Sequence, residues 1–133
     1  MRIVVIDGQG GGLGKQLVTN IKSELPDAEI TAVGTNSVAT GAMMKAGAHQ
    51  GATGENAVVV CVRDADVIVG PMGIVIADAL LGEITPKMAK AIGQAGAKRV
   101  LIPLNLCDNI IVGCQDQPMS KLVDEAIKAI KEI

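Results

Sequence analysis

Four short runs rich in β-branched residues, RIVVI (2–6), EITAVG (29–34), ADVIVG (65–70) and RVLIPL (99–104), recur along the chain with helical periodicity between them. Continuous apolar runs of this length are the pattern of strands buried on both faces. Between the first two, Leu13, Leu17, Val18, Ile21 and Leu25 recur at helical spacing before Pro26-Asp27 ends the helix. Val38, Ala42, Met43 and Ala46 line a second helix stopped at Gly47, and Gln50 to Ala52 reads as a short third strand. Thr53 is expected to cap a helix from about Glu55 to Val62. Thr85-Pro86 is a strong helix start, with a capping residue followed by proline at the first helical position. NIIVG (109–113) is expected as a sixth strand, and Pro118 opens a last amphipathic helix carrying Leu122, Ala126, Ile127 and Ile130. Strands alternating with helices imply right-handed crossovers and a mainly parallel sheet covered on both faces. The fold expected is a three-layer, doubly wound, Rossmann-like α/β domain spanning residues 1–133.

The first strand runs into a loop that is five-sevenths glycine between Gly8 and Gly14. A P-loop does not fit, because Gly14-Lys15 is followed by Gln16 and the position five before Gly14 is Gln9. The dinucleotide pattern Gly-x-Gly-x-x-Gly ends on Leu13 or Lys15. Gly-x-x-x-Gly-x-Gly fits Gly8, Gly12 and Gly14, and resembles the cofactor loop of the short-chain dehydrogenases. Such a loop lets the chain turn off the strand, brings bare N–H groups against a phosphate and packs the helix closely. The dehydrogenase reading stops there, because that family relies on a tyrosine and this chain has none. EITAVG is followed by Thr35-Asn36, with no acid to hold ribose hydroxyls, and these two side chains are expected to donate to a ribose or to a 2′-phosphate.

Composition narrows the partners. The chain contains no Phe, Tyr or Trp and carries a formal net charge of −2, so neither a stacking platform nor a basic field for nucleic acid is present. The three cysteines, Cys61, Cys107 and Cys114, are too few and odd in number for a disulfide framework, which points to a reducing cytoplasm. A three-thiolate metal site would need all of them together, and no metal ligand is assigned. The start of the chain lacks signal-peptide character, and the run 67–81 is broken by Gly70-Pro71, Gly73 and Asp78 and is too short to span a membrane. GIVIADALLG (73–82) is apolar nearly all round, the pattern of a core helix or of one that meets a second subunit, and a homo-oligomer is expected.

In an open α/β sheet, ligands bind beyond the carboxyl ends of the strands where strand order reverses. The residues expected there are Asp7, Gly8, Gln9, Gly10, Gly11, Gly12, Leu13, Gly14, Thr35, Asn36, Thr53 and Asn56, together with residues 70–73 and Asn105. Asp7 has three roles open to it: a metal ligand, a ribose acceptor, or an acceptor for the loop's own N–H groups. Asp7 and Glu55 are the candidate catalytic residues, with Glu55 as cap or general base; Lys15 is placed to reach a phosphate or to remain solvated. The single histidine, His49, reads as a helix-end residue.

As a whole the sequence resembles a small family of compact Rossmann-like proteins, seen mainly in anaerobic bacteria and described as a domain of unknown function. The resemblance is carried by VIDGQGGGLGK, GTNSVATGAMMKAGA, GATGENAVVV, VIVGPMGIVIADALLGEITPKMA and LIPLN. It implies a nucleotide-binding type of fold and supplies no activity. The expectation is therefore a nucleotide-binding protein for NAD(P) or an adenine nucleotide, acting in regulation or as part of a larger enzyme. Its rivals are a small metal-assisted enzyme on a phosphorylated substrate and a non-catalytic scaffold.

Overall fold

The computed structural model describes residues 1–104 and 108–133. Asn105 and Cys107 lie outside the described residues. The strands are β1 (Arg2–Asp7), β2 (Glu29–Gly34), β3 (Gln50–Thr53), β4 (Val67–Pro71) and β5 (Lys98–Ile102). The helices are α1 (Gly12–Glu24), α2 (Ser37–Lys45), α3 (Glu55–Cys61), α4 (Pro86–Gln94) and α5 (Met119–Lys131).

The strands form one all-parallel sheet in the order β3-β2-β1-β4-β5. Ile3 of β1 lies between Ile30 of β2 and Val67 of β4. Alternation along the strands then divides the core. Ile3, Val5, Ile30, Ala32, Val67 and Val69 face α1, α2 and α5, while Val4, Ile6, Val33 and Ile68 face α3 and α4. Both faces of the central strands are dry, which is why their sequences are continuous apolar runs rather than alternating ones. The chain winds outward from β1 to β3, then crosses to β4 on the other side of β1. The order reverses between β1 and β4, and a crevice opens above their carboxyl ends.

The structure corrects three expectations. NIIVG is not a strand: Ile110 and Val112 are 90% and 94% exposed, and Cys114 N–H donates to the Ile111 carbonyl to close a turn. The chain bends there, with Gly113 at φ +84°, so no sixth strand joins β5.

Residues 73–82 do not form a long apolar helix. A short 3-10 turn at Met72–Val75 gives way to tight turns, with Asp78, Leu80 and Leu81 at φ +65°, +57° and +56°. Left-handed residues reverse the chain and prevent a continuous helix. The apolar side chains divide accordingly: Ile74, Ala79, Leu80 and Ile84 are buried and Leu81 is 98% exposed.

Thr53 does not cap α3. Gly54 occupies that position at φ +101°, and the Thr53 hydroxyl instead lies 2.7 Å from that of Thr40. The start predicted at Thr85-Pro86 holds: the Thr85 hydroxyl accepts from Met88 N–H and proline stands in the first turn of α4.

Candidate functional site

The five glycines of the loop fall into two groups. A Cβ on Gly8 would lie 2.7 Å from Thr35 Oγ1 and 2.9 Å from Leu80 Cδ1. On Gly14 it would press on Met43 and come within 2.9 Å of Asp7 Cβ; on Gly11, which also has φ +75°, it would lie 2.8 Å from Ala39 Cα. These three are buried, and close packing explains them. Gly10 and Gly12 are exposed, and a Cβ on either would meet nothing within 4 Å. Internal packing gives no reason for glycine at those two positions.

Asp7 ends β1 at only 6% exposure. Its carboxylate accepts from Gly8 N–H at 2.8 Å and Gly14 N–H at 2.7 Å. The α1 N-cap, Gly11, offers no side chain, so Asp7 caps the helix from the neighbouring strand. Burial pushes its carboxyl above the usual range; the Gly14 and Gly8 bonds oppose that, and the nearby Glu83 charge adds to it. Of the roles open to Asp7 in the sequence, the observed one is as acceptor for the loop's own N–H groups. The N–H groups of Gly10, Gly12 and Leu13 make no hydrogen bond among the described residues.

Sequence reasoning missed Glu83. Its Oε1 accepts from Gln9 N–H at 3.0 Å, Thr35 Oγ1 at 2.6 Å and Asn36 Nδ2 at 2.7 Å. Chiefly the Thr35 bond, together with those from Gln9 and Asn36, holds this carboxyl below its usual range against a smaller opposing effect of burial. Glu83 thus ties the β4–α4 connection to the ends of β1 and β2. Nothing adjacent in sequence signals those partners; the available clue was an acid in a connection on the carboxyl edge of the sheet.

Thr35 and Asn36 stand beside the loop, with their side-chain donors already engaged. The Thr35 hydroxyl donates to Glu83; Asn36 Nδ2 donates to Glu83 and to the Gln9 carbonyl, while Asn36 Oδ1 caps α2 through Ala39 N–H. Thr53 and Asn56 lie at and after the edge strand β3, two strands from β1, and do not line the crevice. Glu55 also sits away from it: its Oε2 accepts the Thr85 hydroxyl at 2.5 Å, joining α3 to the start of α4. His49 Nδ1 accepts from Ile30 N–H, a strand-edge bond. Lys15 is exposed in the first turn of α1. Cys61 and Cys114 line different cavities, and among the described residues no group of three His, Cys, Asp or Glu is arranged to hold a metal ion. Also among the described residues, no helix is long and apolar enough to cross a membrane.

The crevice at the β1/β4 switch point has a volume of about 200 Å³. One wall is the loop from Asp7 to Leu13; the other is apolar, made by Pro71, Leu80, Leu104 and Met119. The crevice thus sets the glycine-rich backbone at the start of α1 beside aliphatic side chains.

The fold has a solved counterpart in a dodecameric FMN-dependent UbiX-like decarboxylase from Escherichia coli O157:H7. The two match with a TM-score of 0.51 and 19% identity over 99% of this chain and 75% of that one. At this identity the likeness is one of fold. No curated protein matches the chain. The sequence itself fits a defined family from its second residue to its last, and the chain belongs to that family, described as Domain of unknown function (DUF3842), over residues 2–133.

Proposed function

We propose that the crevice binds a nucleotide with its phosphate on the N–H groups of Gly10, Gly12 and Leu13. The observation that carries this reading is the pair Gly10 and Gly12, bare where packing does not require it, at the N-terminus of α1 and facing the switch-point crevice. Of the two ligands this reading leaves open, NAD(P) and an adenine nucleotide, the adenine nucleotide is the one we assign. The E. coli protein of the same fold is FMN-dependent, which adds support for a mononucleotide and places FMN in the test panel. With no aromatic residue in the chain, the base lies against aliphatic side chains.

The role is that of a nucleotide-carrying subunit, in regulation or in a larger enzyme, in a cytoplasmic setting. Asp7 accepts from the N–H groups of Gly8 and Gly14, and Glu55 accepts the Thr85 hydroxyl, so both candidate acids serve the local structure. Self-association belongs to this reading, supported by the exposed Leu81, Ile110 and Val112 and by the dodecameric neighbour.

The test begins with a near-ultraviolet spectrum of the freshly purified protein, which has no aromatic absorbance of its own. Mass spectrometry then identifies any released ligand. Calorimetric titration of AMP, FMN and NAD follows, on the wild type and on Gly12→Val. Saturable mononucleotide binding that Gly12→Val abolishes without lowering stability supports the assignment; equal affinity in the two proteins sinks it.

A further inference from the structure

From Gly8 to Gly12 the one residue that is not glycine is Gln9, and it carries a backbone conformation that favours glycine. Gly11 N–H donates to the Gly8 carbonyl at 3.0 Å, closing a turn whose first central residue is Gln9 at φ +50°. Turns with a positive φ at that position usually place Gly, Asn or Asp there. A longer side chain is strained in the left-handed region, and such strain persists only where neighbours over-determine it.

The neighbours here are Glu83 and Asn36. Gln9 N–H donates to Glu83 Oε1 at 3.0 Å, and Asn36 Nδ2 donates to the Gln9 carbonyl at 2.9 Å and to Glu83 Oε1 at 2.7 Å. The three groups close a ring that holds both polar backbone atoms of Gln9. The ring is anchored outside the loop: Asn36 Oδ1 accepts from Ala39 N–H at the start of α2, and Thr35 Oγ1 donates to Glu83 at 2.6 Å.

A trans peptide is planar, so its N–H points opposite to its C=O. Holding the Gln9 carbonyl on Asn36 therefore sets the direction of Gly10 N–H, which points away from that bond and makes no hydrogen bond among the described residues. Gln9 and Gly10 line the switch-point crevice, whereas Asn36 and Glu83 stand behind the loop and act through it.

We propose that Asn36 and Glu83 are the positioning residues of the anion site: they lock the 9–10 peptide so that Gly10 N–H stays turned to the crevice as a donor. This rests on the phosphate assignment above and adds to it what keeps the site formed. The lock reaches Gln9 from two separate parts of the chain, the start of α2 and the β4–α4 connection, so the anion site is complete only while both are docked on the loop.

The test combines backbone 15N relaxation with calorimetric titration of AMP and adenosine, which differ by the phosphate. In the ligand-free wild type the Gly10 amide should be as ordered as a helix, with an order parameter of about 0.85. Asn36→Ser keeps a cap on α2 but loses the donor to Gln9. Its Gly10 order parameter should fall below about 0.6. A hydrogen bond to a charged group is worth about tenfold or more in affinity, so AMP should bind more weakly by that factor while adenosine is unaffected. Glu83→Ala should do the same. Glu83→Gln, equally uncharged but with an amide oxygen that accepts the same bonds, should recover both the order and the AMP affinity. A merely structural role would weaken AMP and adenosine alike. A Gly10 amide that stays ordered in Asn36→Ser, or an AMP affinity that stays at the wild-type value, overturns the positioning role and leaves the phosphate site standing. Wild-type protein that binds AMP no more tightly than adenosine overturns the phosphate site, and the role in binding with it. The comparison of Glu83→Ala with Glu83→Gln decides the matter if Asn36→Ser does not fold.

Discussion

Asp7, at the end of β1, accepts a hydrogen bond from the N–H of Gly14, seven residues later in α1, at 2.7 Å. Through that bond the strand caps the helix that follows it, and the loop between them needs no capping residue of its own. Asp7→Ala would leave the buried N–H groups of Gly8 and Gly14 without an acceptor. A loss of about 2 to 4 kcal/mol is expected, read as the shift in urea midpoint.

Asp7 also gives the protein a pH signature. Burial raises its folded-state pKa above the ordinary value of 3.8, so the folded protein binds more protons than the unfolded chain just above that pH. The Asp7 contribution is greatest below 3.8 and is lost as pH rises through the folded value. The stability advantage of wild type over Asp7→Asn should therefore shrink as pH rises through that window. Urea denaturation of both proteins at a series of pH values checks the slope.

Glu83 runs the opposite way. Its folded pKa is lowered from 4.5, so its contribution is present above 4.5 and is lost as pH falls through the folded value. Glu83→Gln should lack that acid loss. Glu83→Ala removes the acceptor for Gln9, Thr35 and Asn36 together and should cost about 1.5 to 3 kcal/mol at neutral pH.

The two groups of loop glycines should separate cleanly by mutation. Gly14→Ala forces a Cβ against Met43 and Asp7 and should destabilise by about 1 to 3 kcal/mol. Gly12→Ala meets nothing within 4 Å and should leave stability within about 0.5 kcal/mol of wild type. Thermal unfolding followed by far-ultraviolet circular dichroism measures both.

Thr85 is both the cap of α4 and the partner of Glu55. Thr85→Ala is expected to cost about 1 to 2 kcal/mol. Thr85→Ser, which keeps the hydroxyl, should recover most of that loss in the same denaturation assay.

The order of strands and helices was legible because the central strands are buried on both faces and their β-branched runs end at clear caps and turns. RIVVI and ADVIVG could hardly be anything else. NIIVG has a similar apolar composition but does not pair with the open edge of β5, and pairing is a tertiary fact. The segment 73–82 misled for a related reason: apolar content marks burial, while the left-handed residues Asp78, Leu80 and Leu81 set the path, and leucine gives no sign of that conformation. At the site, the glycines and Asp7 could be read as a unit because they are contiguous. Glu83 could not, since its hydrogen-bond partners Gln9, Thr35 and Asn36 lie 47 to 74 residues away.

The two outer strands of the sheet differ from the inner ones in a way that bears on strand addition between chains. β5 begins with the exposed Lys98 and Arg99, and β3 is four residues long and reads QGAT. Charge at one margin and brevity at the other make poor templates for adding a further strand. Growth by continuing the sheet from chain to chain is disfavoured at both ends. Contacts between copies of this chain, where they form, are therefore expected through helix faces and connecting loops and not by strand addition.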